Sequence, residues 1–264
     1  MSKPLILIPP SEGKSGGGAG PCWLDTKHSF GEIEQPRREV IESLEKVMQE
    51  DELTRSKLLG VKGKKVKEAT EANLNLFSAT TLPAIERYTG VLYDALNYCS
   101  LSSEIRKRVD KQVVIFSGLW GVLRPRDQIP DYKLKMGARL PQIGVVSRFW
   151  KPYLTSVLES DAMGCVWDLL PGEHSAGWDP SIAKTRIRVK FLDAVIKSGE
   201  KKLVTVSHWN KLLKGALIQY VLENQLTDPT KLADFSHPEG YVFAPDLTEV
   251  TESSIDVSFI ASRL

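Results

Sequence analysis

Cysteine is scarce in this sequence. Cys22, Cys99 and Cys165 are the only three in 264 residues, far apart and in no metal-like or redox-like spacing. That argues against a disulfide-stapled scaffold and a thiolate cluster, and a reduced, cytoplasmic setting is expected. Long hydrophobic runs are missing too. The N-terminal "PLILIPP" covers few residues and lacks a signal-peptide cleavage pattern. No apolar segment approaches the roughly 20 residues of a membrane span, so no membrane partner is expected. No low-complexity tract, repeat period or long linker occurs. An excess of one charge is absent as well: 35 basic residues against 33 acidic leave a net +2. Any grip on nucleic acid must therefore come from local clustering. The four histidines, His28, His174, His208 and His237, show no ligand spacing, and neither a metal nor a cofactor is expected.

What is present is an alternation of strand and helix patterns in a chain long enough to bury a sizeable core. Leu5 to Ile8 reads as a buried strand, stopped by Pro9-Pro10 and followed by a glycine-rich loop to Gly20. Val40, Ile41, Leu44, Val47 and Met48 predict a helix over Arg37 to Gln49, with Pro36 as initiator. Further helices are expected over Glu52 to Leu59, Lys64 to Leu76, Val91 to Tyr98, Ser103 to Val109 and Asn210 to Asn224, and one capped by Ser147. "QVVIFS", "GCVWDLL", "TRIRVKFL", "KLVTVS", "GYVFAP" and "IDVSFI" read as strands. The expected fold is α/β, one compact mixed-sheet unit over 1–264 with a helical element around 36–98. A monomer is expected.

Within that element, "LLGVKGKKVKEATEANLNL" sets Gly60 and Gly63 three apart, each preceded at close range by apolar residues. Such a turn lets two helices reverse tightly and brings backbone close to a partner. The N–H groups at the second helix's start form an anion site, reinforced by Lys62, Lys64, Lys65 and Lys67. A sequence-independent phosphate contact needs that combination. The stretch resembles the helix-hairpin-helix of DNA repair proteins, at about 50–76, with Val61 and Val66 at apolar positions and Ala69 at the small one; Lys64 departs from the motif. A plain αα-hairpin with a solvated basic turn is the competing reading.

The block "FSGLWGVLRPRDQIPDYKLKMGARL" begins where a strand ends, the usual place for ligand loops in an α/β sheet. Ser117, Gly118 and Gly121 allow close approach. Arg124, Arg126, Lys133, Lys135 and Arg139 supply anion-binding groups, and Asp127 and Tyr132 complete the candidate set. The alternative is that Arg124 pairs with Asp127 to brace a loop, with Trp120 buried.

With "LILIPPSEGK", "YTGVLYDAL", "SHWNKLLKGALIQYVLEN" and "EGYVF", this block makes the chain resemble the YaaA family over nearly its whole length. The resemblance implies a compact α/β fold with a helix-hairpin-helix and a basic cleft, DNA binding and a role in peroxide stress. The matching positions include Lys14, Tyr88, Thr89, Gly90, Ser117, Gly118, Gly121, Arg124, Asp127, Tyr132, Met136, Gly137, Arg139, Trp150, Lys211, Gly215 and Tyr241. "DLLPGEHSAGW" departs from the Ser- and Tyr-containing segment expected there, and could alter ligand preference if it lines the cleft.

"PPSEGKSGGG" is no Walker loop, because Ile8 stands where the first glycine of G-x-x-x-x-G-K-[ST] belongs. A looser phosphate cradle and a surface loop both remain open for it. Lys14 in this loop and Lys211 after "VSHWN" are the candidate catalytic amines. A lysine beside an apolar strand and other cations has a depressed pKa, and its neutral form attacks a carbonyl or a sugar C1′. His208 beside Ser207 suggests a base without an assignable acid. "KTRIRVK" reads as a half-buried strand with one cationic face. Two functions therefore stand side by side. In one, a peroxide-stress protein holds double-stranded or damaged DNA by its backbone. In the other, a lysine-dependent enzyme acts on a nucleobase, a nucleotide or a damaged DNA sugar.

Overall fold

The computed structural model describes residues 3–197, 199–206, 209–237 and 239–262. Its strands are β1 (Leu5–Ile8), β2 (Leu82–Pro83), β3 (Val113–Ser117), β4 (Gly121–Leu123), β5 (Gln128–Ile129), β6 (Arg139–Leu140), β7 (Gly144–Val145), β8 (Cys165–Asp168), β9 (Thr185–Lys197), β10 (Glu200–Thr205), β11 (Val242–Phe243), β12 (Glu249–Val250) and β13 (Ser254–Ser262). The helices are α1 (Glu34–Met48), α2 (Glu52–Leu59), α3 (Lys64–Leu74), α4 (Ala84–Arg87), α5 (Val91–Leu96), α6 (Ser103–Gln112), α7 (Val146–Ala162), α8 (Gly172–Ser175) and α9 (Trp209–Asn224).

A nine-stranded mixed sheet runs β11-β13-β9-β8-β1-β3-β4, with β10 on β9 and β12 on β13. The five central strands, β13, β9, β8, β1 and β3, are mutually parallel. Every residue of β1, β3 and β8 is buried. Successive side chains alternate faces, so both faces of the sheet centre are covered, and such strands read as unbroken apolar runs. β2 pairs with β5, and β6 with β7, in two small ladders outside the sheet.

The order of the central strands creates a crevice. β1 is followed in the sheet by β3 on one side, whereas β8 connects to β9 on the other. β1 and β8 are neighbours, so their outgoing connections diverge beyond their carboxyl ends, where ligands bind in open α/β sheets.

The helical hairpin has well-defined ends. Asp51 caps α2, accepting from the Thr54 backbone N–H at 3.0 Å and the Thr54 hydroxyl at 2.8 Å. Gly60 ends α2 with φ +64°, and Gly63 starts α3 with φ +58°, conformations that favour glycine at both positions. On the inner side of α3, Asn73 clamps the segment before the cavity wall. Its Nδ2 donates to the Lys133 carbonyl at 2.9 Å, and its Oδ1 accepts from the Lys133 N–H at 2.8 Å.

Several boundaries differ from the sequence reading. α1 starts at Glu34, so Pro36 sits within its first turn rather than before it. Ser147 is inside α7, not its cap; its N–H donates to the Met136 carbonyl. α6 extends to Gln112, which shortens the expected strand by one residue. Asn97, in the left-handed region at φ +43°, ends α5 before Tyr98. "GYVFAP" forms only a two-residue strand, β11, on the edge of the sheet.

Candidate functional site

Lys14 lies six residues beyond the end of β1, in a loop that is held at several points. Lys14 forms an isolated antiparallel bridge with Tyr88, the Ser15 N–H donates to the Arg87 carbonyl at 2.8 Å, and the Thr89 N–H donates to the Gly13 carbonyl at 3.1 Å. Arg87 is fully buried and spends its guanidinium on this loop, donating to the carbonyls of Ser15 and of Gly17 (2.8 Å) and to that of Ile129 (3.2 Å). No motif in the sequence marks Arg87 for that task.

The Lys14 ammonium sits 4.3 Å from the centroid of the Tyr132 ring and 5.7 Å from that of Tyr88. Burial lowers its pKa from the ordinary 10.5 to about 8; Lys133 and Arg87 push the same way, while Asp131 and Glu12 oppose them. The Tyr132 hydroxyl is a hub, 2.6 Å from the Tyr88 hydroxyl and 2.8 Å from Ser117 Oγ, which in turn accepts from the Trp120 N–H. Burial raises the Tyr132 pKa to about 12 and that of Tyr88 well above its usual value, so both phenols stay protonated. Glu12 bridges Lys133 at 2.8 Å and Lys135 at 3.2 Å, and its hydrogen bond with Lys133 is the main cause of a pKa lowered to about 2.

Two adjoining cavities meet at Lys14. The larger, about 580 Å³, is bounded by Glu12, Lys14, Asp131, Tyr132 and Lys133 on the sheet side and by Gly60, Val61, Lys65, Glu68 and Ala69 of the hairpin on the other. The smaller, about 60 Å³, lies between the segment after β1 (Pro10 to Lys14), the strip Tyr132 to Lys135, and Glu173-His174 after β8. It therefore occupies the crevice between diverging strands. His174 is buried, which lowers its pKa to about 4 and leaves the imidazole neutral. Of the segment Pro171 to His174, Glu173 and His174 thus line the cleft.

The structure brings Lys14, Ser117, Tyr132, Lys133, Gly60 and Lys65 together. Gly118 supports them from behind: a Cβ there would fall 2.7 Å from the Leu134 carbonyl oxygen and 2.9 Å from the Met136 nitrogen, so only glycine lets strip 134–136 lie against the end of β3. Other sequence candidates lie elsewhere. Arg124 follows β4, which runs antiparallel to β3 and returns the chain towards the start of that strand. Its guanidinium donates to the carbonyls of Lys111 (2.9 Å) and Val113 (3.3 Å) and pairs with Asp161. It lines neither cavity at Lys14. Asp127 accepts from the Arg124 N–H at 2.7 Å and from Ser29, which makes it part of a loop brace. Gly121, at φ +72°, packs against Trp150, Leu154 and Ile33, and Arg139 is exposed on β6. Lys211 is exposed on α9 and outside both cavities; Lys214 is the lysine of that helix whose Nζ turns inward, to the Leu169 carbonyl at 2.9 Å. Ser207 and His208 lie outside the described residues.

On the hairpin, Lys62, Lys64 and Lys65 are exposed. Lys64 pairs with Glu68 at 3.3 Å and Lys67 with Glu71 at 3.9 Å, whereas among the described residues Lys62 and Lys65 have no acidic partner within 4.0 Å. Three cations of the strand expected at "KTRIRVK" are paired: Arg186 with Asp168, and Arg188 and Lys190 with Asp256.

Sequence comparison matches residues 5–247 to the family described as peroxide stress protein YaaA. The chain belongs to the YaaA family. A UPF0246 protein of Streptomyces coelicolor is 33% identical over 242 residues, covering 90% of each chain. UPF0246 proteins of Corynebacterium glutamicum and Corynebacterium efficiens are 35% and 34% identical, covering 81% and 89% of this chain and 82% and 93% of theirs. Asp131 and Glu12 were not singled out by sequence reasoning. The only signal for them was adjacency to matching positions of the YaaA block. Among the described residues no helix is long and apolar enough to cross a membrane.

Proposed function

We propose that this YaaA-family protein binds duplex DNA by its backbone and receives one nucleoside unit, displaced from the stack, in the cavity at Lys14. The observation that carries this reading is that the hairpin turn and Lys14 line the same cavity. Lys62, and Lys65 at the cavity rim, are exposed beside the start of α3, a placement suited to phosphates. Inside, the cationic Lys14, Lys65 and Lys133 are balanced by Glu12, Glu68 and Asp131. A balanced lining favours an uncharged sugar and base over a run of phosphates. About 580 Å³ falls within the usual range for small-ligand pockets. Displacement of a nucleotide is least costly where it is mismatched or damaged, which fits the peroxide-stress description of the family.

The test is fluorescence anisotropy with matched duplexes that are intact or carry one abasic or mismatched site, at several salt concentrations. Binding that is salt-dependent and tighter for the lesion duplex is expected. Equal, salt-independent or absent binding overturns the reading.

A second reading is favoured by one observation, the lowered pKa of Lys14. Near pH 7.5 about a quarter of such an amine is neutral. The free amine adds to the C1′ aldehyde of an abasic sugar; the carbinolamine loses water, leaving an imine between Nζ and C1′. Borohydride would reduce that imine to a stable secondary amine on Lys14. A trapped adduct that vanishes in Lys14→Met is expected, and no adduct in the wild type refutes it.

A further inference from the structure

We propose that the small cavity between Lys14 and His174 is a base-reading subsite that takes a lactam edge, an N–H beside a C=O, as in uracil, thymine, guanine or hypoxanthine. The inference rests on the reading that a nucleoside enters the larger cavity, and it names which bases are accepted there.

Four features support it. The first is size. About 60 Å³ is room for two water-sized groups, enough for the edge of a ring whose body stays in the adjoining cavity but not for a whole base. The second is an unmade hydrogen bond. His174 is buried to within 7% of its surface, yet its Nδ1 has no hydrogen-bond partner, and the nearest carboxylate oxygen, Glu173 Oε1, is 3.8 Å away. Buried polar atoms are rarely left this way unless a partner arrives.

The third feature is the chemistry of the two lining groups. The Lys14 ammonium has three donors and no acceptor, so it requires an acceptor on the ligand, which a C=O supplies. A neutral imidazole with its proton on Nε2 offers a lone pair at Nδ1, so it requires a donor, which the adjacent N–H supplies. Burial keeps His174 in that neutral form near neutral pH. Of the two carboxylates that line the cavity, Glu12 is already engaged by Lys133 and Lys135, and Glu173 stands beside the imidazole, 3.8 Å from its Nδ1. The amino edges of adenine and cytosine present the pattern reversed. Their NH₂ would face the ammonium and their ring nitrogen would face the imidazole lone pair.

The fourth feature is rigidity. Gly118 lets strip 134–136 press against the end of β3, main chain against main chain, which fixes that wall of the cavity. A subsite with fixed walls discriminates because an unmatched group finds no alternative partner.

The experiment is calorimetric titration of the full chain with dUMP, dGMP, dAMP and dCMP. Binding of dUMP and dGMP about ten-fold tighter than dAMP and dCMP is expected, the size of one unmatched buried hydrogen bond. His174→Phe, checked for folding by its melting curve, should erase the preference, and His174→Gln, whose amide oxygen can accept, should keep part of it. If the Phe variant does not fold, N3-methyl-dUMP tests the same contact from the ligand side and should bind as weakly as dCMP. Equal binding of all four nucleotides, N3-methyl-dUMP binding like dUMP, or no binding of any nucleotide overturns the proposal. A lactam preference that holds while duplex binding is absent sinks the DNA reading alone.

Discussion

The Lys14 ammonium stands over the face of the Tyr132 ring, 4.3 Å from its centroid, while the hydroxyl of that ring is bound to Tyr88 and Ser117. A cation is thus held against a phenol that cannot turn away. The contact offsets part of the cost of taking the amine out of water, but not all of it, because the pKa still falls.

That residual cost has a pH signature. In the folded protein Lys14 titrates near 8, against 10.5 ordinarily. Between those values the unfolded chain binds more protons than the folded one, so this site makes stability rise with pH across the window. Below about pH 8 the whole penalty is present. Lys14→Met should therefore be more stable than wild type at pH 7, by up to roughly 3 kcal/mol, with the difference shrinking towards pH 10. Urea melts of both proteins at the two pH values measure it. A variant less stable at pH 7 would show that the ammonium is not under strain.

Arg124 braces the fold by bridging the start of β3 to Asp161 of α7. Arg124→Lys keeps the charge but loses the planar fork that reaches two carbonyls and a carboxylate at once. Stability should drop by about 1–3 kcal/mol with ligand affinity unchanged. Reduced affinity at unchanged stability would return Arg124 to the site.

The hairpin lysines should differ among themselves. Replacing Lys62 or Lys65 by Ala should weaken binding to all duplex sequences alike and lower the salt slope by up to about 0.9 per lost phosphate contact. Lys64 is already neutralised in part by Glu68, so its loss should matter less and Glu68→Gln should tighten binding. Anisotropy over a salt series separates these outcomes.

Gly118→Ala places a methyl group within 3 Å of main-chain atoms of Leu134, Lys135 and Met136, which have little freedom to retreat. A loss of about 1–3 kcal/mol is expected, with weaker binding because Lys133 and Lys135 shift with the strip. A thermal melt together with a nucleotide titration checks both effects.

The sheet centre was legible because β1, β3 and β8 are buried on both faces and so appear as short apolar runs. The hairpin was legible because Gly60 and Gly63 mark its turn in the sequence itself. Lys14 could be singled out from its place after β1. Arg124 lies apart from the cavities at Lys14 for a specific reason. The turn 118–120 looks like a ligand loop, and nothing local reveals that β4 reverses and carries Arg124 back to the far end of β3. Arg87 could not be read as a site residue, and His174 only as part of a segment that departs from the family pattern. Their roles depend on contacts with segments some 70 and 160 residues earlier in the chain, which no periodicity encodes.

Asn73 ties α3 to the main chain of Lys133 by two hydrogen bonds, so the hairpin and the wall of the cavity move as one piece. Under the proposed reading, a duplex held at the turn and a nucleotide seated at Lys14 therefore act on the same piece of structure. Thermodynamic reciprocity then binds the two affinities to one coupling factor. On that proposed reading, whatever multiple a bound nucleotide imposes on the duplex affinity, the duplex must impose on that nucleotide.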